Sequence, residues 1–164
     1  MSQEIVVFEV AVDCGTLQGR ELTEELVADF LSPDDWMTTS RNGWFLSLLG
    51  DLIQIYEGFN ELRYLTERFA LVLTGELSTK RHALQRLLTT IRNDTEPFVE
   101  ATPWYGATAE EVRSHMDEAK VMRQLDDDCV YAFSNFFSFL AWQVAVLEEA
   151  EKEGKCLLHV AWGW

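Results

Sequence analysis

Asp126, Asp127 and Asp128 stand in a row ahead of an aromatic-rich stretch, and Glu148, Glu149, Glu151 and Glu153 close it. Such a triplet can bind a metal, start a helix or face a basic partner. It has no flanking glycine, no alternating oxygen ligands and no glutamate at the twelfth loop position, so it does not fit a calcium loop. Val130, Phe133, Phe137, Leu140, Val144 and Leu147 follow at spacings of three and four, which predicts a helix. Carboxylates at its N-terminus cap free N–H groups and complement the macrodipole. The triplet is therefore read as a helix start.

Other chemistry is thin. The chain has three histidines, His82, His115 and His159. His82 has Lys80, Arg81 and Arg86 around it, which suits a surface position. His159 lies on a predicted strand and reads as a partly buried structural residue. Glu111 and His115 share a helix face at i,i+4, and Asp117 or Glu118 could complete a metal half-site facing Glu57 and Glu61. The Glu-x-x-His pair of helical di-metal sites is missing, so no metal and no cofactor are expected. Phosphate loops, dinucleotide fingerprints, zinc-protease helices and nucleophile elbows are absent from the sequence. No catalytic residue is assigned, and the expectation is a protein that is not an enzyme.

Three cysteines, Cys14, Cys129 and Cys156, form an odd set with no CxxC pair. On spacing alone, neither a disulfide framework nor a zinc site is expected. Three free thiols point to a reducing compartment, and so to the cytoplasm. The N-terminal "MSQEIVVFEV" lacks the basic leader of a signal peptide, and no apolar run reaches membrane-spanning length.

Charge is the main anomaly. Lys and Arg total 13 against 28 Asp and Glu, a formal net charge of −15 over 164 residues. That field repels nucleic acid and anionic membranes and attracts basic proteins. It also keeps an aromatic-rich surface in solution. The residues singled out as partner-binding are Trp36, Trp104, Tyr105, Glu110, Glu111, Asp117, Glu118, Glu148, Glu149 and Glu151, where loop aromatics lie beside acid. Aromatic anchors supply binding energy, and charge supplies association rate and orientation. Trp44 and Trp142 are read as core.

These residues need elements to hold them. Residues 4–14 alternate, with Val6, Phe8, Val10 and Val12 on one face, and residues 156–164 repeat the pattern with Leu158, Val160, Trp162 and Trp164. Two such strands are expected to pair, since each needs a partner for its backbone. Between them, helices are predicted over residues 20–31, 43–73, 80–92 and 109–125, with Gly58 able to split the second. Residues 93–108, with Pro97, Pro103 and Gly106, read as a long loop, and Thr108 with Glu111 forms a capping-box signature.

With 48% hydrophobic and 12% aromatic residues, the chain can bury a real core. The expected fold is α+β, predominantly helical, with five or six helices and a small sheet of the N- and C-terminal strands, in a single globular domain over residues 1–164. The expected function is a non-enzymatic acidic binding protein. Its most economical form is a bacterial immunity or antitoxin-like inhibitor covering a basic surface of a toxin or nuclease. The alternatives are a phage-type inhibitor mimicking nucleic-acid charge, a small enzyme or ligand binder with a pocket between helices, and a helical adaptor subunit. The partner is expected to be a basic protein, with no direct nucleic acid and no membrane; the oligomeric state is left open.

Overall fold

The computed structural model describes residues 5–32, 34, 36–38, 44–120 and 133–163, with the backbone alone at 36–38. The fold is α+β and predominantly helical. In chain order it runs β1 (Ile5–Val12), α1 (Cys14–Leu17), α2 (Glu24–Ala28), β2 (Trp36–Thr38), α3 (Trp44–Ile55), a 3-10 segment (Asn60–Thr66), β3 (Phe69–Val72), α4 (Leu77–Asn93), α5 (Glu96–Ala101), α6 (Ala109–Glu118), α7 (Phe133–Glu153) and β4 (Cys156–Gly163). A short 3-10 turn, Thr74–Glu76, leads into α4.

The terminal strands pair as their alternation predicts. β1 and β4 run antiparallel in unbroken register, from Ile5 opposite Gly163 to Val12 opposite Cys156. The sheet has two further strands, in the order β2-β1-β4-β3. Both terminal strands are thus central, and each carries a partner on its other edge.

β3 was hidden in the sequence inside a helical stripe. Residues 43–73 do not form one helix. α3 ends at Ile55, Gly58 takes a left-handed φ of 88°, and the chain re-enters through the 3-10 segment. Left-handed backbone suits glycine and stops a right-handed helix. Beyond it, Phe69–Val72 pairs with β4 from Phe69 opposite Val160 to Val72 opposite Leu157. The β4 edge offers backbone partners that a helical period cannot reveal. The predicted helix over residues 20–31 contracts to α2, whose N-cap Thr23 accepts from the Leu26 N–H. Its apolar stripe survives, with Val27 buried and Leu22, Leu26 and Phe30 packed beside it. The long loop contains α5, with Pro97 in its first turn and Phe98 fully buried.

The two faces of the sheet are covered unequally. Val7, Ala11, Leu157 and Ala161 face the large core built by the helices, with α7 crossing β1 and β4. Val10, Val12, Cys156, Leu158 and Val160 face a smaller cluster closed by Leu17 of α1 and Val27 of α2. α7 is the central helix its wide apolar face predicts. It packs on α4, α6 and the sheet, and it buries Phe133, Phe136, Phe137, Phe139 and Leu140.

α7 ends despite its glutamates in a Schellman motif. Gly154 is left-handed at φ 66°, its N–H reaches the Glu151 carbonyl at 3.2 Å, and the Lys155 N–H reaches the Ala150 carbonyl at 3.0 Å. The helix predicted over 109–125 is shorter: α6 ends at Glu118, where Ala119 turns extended at ψ 140°. The Asp126–Asp128 triplet and Cys129 lie outside the described residues.

One correction concerns the thiols. Cys14 and Cys156 form a disulfide across 142 residues, with Cα atoms 5.2 Å apart. Their separation hides the pair from any spacing rule. The β1–β4 register creates it, by placing Val12 opposite Cys156 just before Cys14.

Because β4 is flanked on both edges, deleting residues 156–164 removes the partner of β1 and β3 together. The truncated chain is expected to lose its cooperative thermal transition. A melting curve that keeps the full-length midpoint would refute the central role of β4.

Candidate functional site

The ten residues singled out from the sequence fall in separate places. Trp104 and Tyr105 sit in the turn after α5, whose Gly106 is left-handed at φ 71°. That turn lies against the start of α7. Tyr105 meets Phe133 at 4.1 Å between ring centroids, and Trp104 meets Trp44 at 5.8 Å and Phe133 at 6.1 Å. Trp44 and Phe133 are core residues, and Trp142 is buried as predicted. Trp104 is 59% exposed, so its ring stands outward on a rigid aromatic base.

α6 borders this base. His115 packs edge-on against Tyr105 and Phe133 at 6.0 Å each. Glu111 lies one turn before His115 on the same face, and its N–H donates to Thr108 Oγ1 at 3.2 Å, so the predicted cap forms. Glu110 and Glu111 are exposed in the first turn, where the macrodipole favours carboxylates. Asp117 accepts from Arg92 at 2.7 Å, and Glu118 Oε2 stands 3.7 Å from His115 Nδ1.

The second acidic group belongs elsewhere. Glu148 lies fifteen residues along α7 from Phe133, about 22 Å at the helical rise. Glu151 is held by Arg81 at 3.2 Å, while Glu149 is exposed. The two groups are therefore two surfaces and not one. Trp36 lies in β2, paired opposite Phe8, and its side chain is outside the description.

A deep pocket holding His115 with Glu57 or Glu61 would favour the alternative of an enzyme with a pocket between helices. His115 instead faces Tyr105, Phe133 and Glu118. Among the described residues, no group of three His, Cys, Asp or Glu could hold a metal ion. An open groove of about 260 Å³ lies between α4, α6 and α7, lined by Leu88, Met116, Phe137 and Ala141 with Arg92 at its rim. None of the predicted metal ligands lines it.

A polar centre that the sequence reading did not foresee lies under α7. Glu9 and His159 are opposite each other in the register, both on the face turned to the large core. His159 Nδ1 bonds Glu9 Oε1, and both side chains are fully enclosed. Gln143 of α7 donates to the same carboxylate oxygen at 3.1 Å. Tyr64 packs edge-on to the His159 ring at 5.6 Å, and Lys80 Nζ stands 5.6 Å over the Tyr64 ring. Among the described residues, Glu9 Oε2, His159 Nε2, Gln143 Oε1 and the Tyr64 hydroxyl have no hydrogen-bond partner. A carboxylate can orient an imidazole for proton transfer, as in hydrolase triads. Here both side chains of the pair are fully enclosed. The signal for it was available: Glu9 and His159 each interrupt an apolar strand face.

Burial and the nearby Glu9 carboxylate push the Tyr64 hydroxyl well above its ordinary range. Tyr56, whose hydroxyl donates to the Asp94 carbonyl at 2.7 Å, is pushed up to about 12, chiefly by burial.

Comparison with known protein families, curated proteins and solved structures returned no match.

Glu9→Ala strips His159 Nδ1 and Gln143 of their acceptor and is expected to cost roughly 3 kcal/mol or more in urea unfolding. Tyr64→Phe removes a hydroxyl that has no partner among the described residues and should lie within about 1 kcal/mol of the parent. Equal losses in both would refute the assignment. For Tyr56, the folded chain holds the phenol proton more tightly than the unfolded chain does. Its contribution is therefore complete below pH ~10 and lost as pH rises through about 12. Tyr64 also ionises late, so the test is made in a Tyr64→Phe background: an ultraviolet titration there should show Tyr56 ionising late, and adding Tyr56→Phe should remove that component; its persistence in the double variant would contradict the placement.

Proposed function

We propose that this chain is a non-enzymatic acidic binding protein whose partner is a basic protein. Its most economical form is an immunity- or antitoxin-like inhibitor that covers a basic functional surface of a toxin or nuclease. The observation that carries this reading is Trp104, 59% exposed on a base of buried rings, in the turn that leads the chain into the acidic first turn of α6. A large ring held outward by packed neighbours loses little freedom on binding, which is what a hot-spot anchor requires. The charge of −15 supplies long-range attraction for a basic partner and repulsion for nucleic acid.

Among the acidic groups, the α6 surface fits this role best. Glu110 and Glu111 are exposed, whereas Glu151 at the end of α7 already holds Arg81. The same surface serves the charge-mimic form, in which carboxylates stand where a nucleic-acid-binding protein expects phosphates. Cytoplasmic residence belongs to this proposal and no longer rests on three free thiols, given the Cys14–Cys156 disulfide. Among the described residues, no helix is long and apolar enough to cross a membrane.

The test uses a partner captured with the full-length chain, followed by binding kinetics at two salt concentrations. Association should slow as the Debye length falls from ~10 Å at 0.1 M to ~3 Å at 1 M. Glu110→Lys should slow association, and Trp104→Ala should speed dissociation by a factor equivalent to ~2 kcal/mol. Both variants should keep the parental melting temperature. Kinetics indifferent to salt, to Glu110→Lys and to Trp104→Ala would overturn the proposal.

A further inference from the structure

We propose that the Cys14–Cys156 disulfide is a thiol-exchange site that clamps the α1–α2 cover onto the sheet, and that reduction by a dithiol releases this cover while the helical layer stays folded. The inference stands apart from the partner reading and rests on how unequally the two sheet faces are held.

The cover is slight. α1 has four residues and α2 has five, too short to be helical on their own account. They are held by Leu17 and Val27, both fully buried, by the partly buried Leu22, Leu26 and Phe30 beside them, and by the Glu24–Arg68 ion pair. That pair is 53% exposed on each side, so it contributes little. Among the described residues, the disulfide is the one covalent tie between side chains, joining the first residue of α1 to the first residue of the central strand β4. The opposite face shares none of this dependence. It is sealed by α7 and the large aromatic core, and Val7 and Leu157 belong to that core.

The two sulfurs also differ. Cys14 is half-buried and Cys156 fully buried, so an incoming thiolate reaches Cys14 Sγ. Attack there forms a bond between the reductant's sulfur and Cys14 Sγ and breaks the Cys14–Cys156 bond, with the electron pair leaving on Cys156 Sγ. The Thr74 hydroxyl stands 2.8 Å from Cys14 Sγ and 3.7 Å from Cys156 Sγ. A hydroxyl rotates freely, so it can turn its hydrogen to the departing thiolate and stabilise it. The second thiolate of the dithiol then attacks its own sulfur in the mixed disulfide and releases Cys14. The dithiol is oxidised to a disulfide, the protein disulfide is reduced by two electrons, and the dithiol's two protons end on Cys14 and Cys156.

The test uses the air-oxidised full-length chain with dithiothreitol as the dithiol. Alkylation under denaturing conditions, read by mass, should label only Cys129 before reduction and Cys14, Cys129 and Cys156 after it. Hydrogen exchange should then rise severalfold across residues 14–31 while α4 and α7 stay protected. A Cys14→Ser, Cys156→Ser double variant should show the released pattern with or without reductant, and Thr74→Val should slow reduction severalfold. Labelling of all three cysteines before reduction would overturn the proposal. So would loss of protection across α4 and α7 on reduction, which would make the disulfide a staple of the whole fold, or unchanged exchange over 14–31. An unchanged reduction rate in Thr74→Val would overturn the part given to its hydroxyl.

Discussion

Antiparallel pairing of the two ends of the chain is the constraint on which the rest depends. From Ile5 opposite Gly163 to Val12 opposite Cys156, the ladder has no bulge, so every side chain on β1 and β4 has a fixed face. A slip of one residue would turn each strand over and move its buried set to the wrong side. In this register Glu9 faces His159 and Val12 leads the chain to Cys14 beside Cys156. One interaction thus sets the buried polar centre, the disulfide and the two unequal faces.

The helical layer answers to that sheet through α7. Its phenylalanines fill the space between α3, α5 and α6, while Gln143 reaches down to Glu9 at 3.1 Å. Apolar packing gives most of the attraction, but it tolerates sliding. A buried donor that must find one carboxylate does not, because leaving it unpaired costs a desolvation penalty. The polar centre fixes where α7 sits over the strands, and Tyr64 and His159 close it from the 3-10 segment and β4. Charge inside the protein serves position in this way, while charge on its surface is free for association.

That surface charge is not spread evenly in its availability. Asp117 is taken up by Arg92, Glu151 by Arg81 and Glu24 by Arg68. The first turn of α6 follows in the chain the turn that carries the exposed ring of Trp104, and that turn packs on Phe133 through Trp104 and Tyr105. The aromatic base is continuous with the core through Trp44 and Phe133, so the exposed ring inherits core rigidity.

The sequence by itself determined what periodicity and capping can encode. Alternation marked β1 and β4, the three-four spacing marked α4 and α7, and Thr108 with Glu111 marked the start of α6. These signals are local, arising from how successive side chains point along a strand or helix. Only the tertiary structure decided the rest. Phe69–Val72 reads as helix until the free edge of β4 supplies its backbone partners. Glu9 and His159 read as interruptions until the register sets them face to face, and Cys14 and Cys156 read as free thiols until the chain ends meet. Trp104 stays outside although its neighbours in space are core residues, because the turn that carries it points it outward. Each of these depends on groups far apart in the chain, and pairing across such distances leaves no period in the sequence to be read.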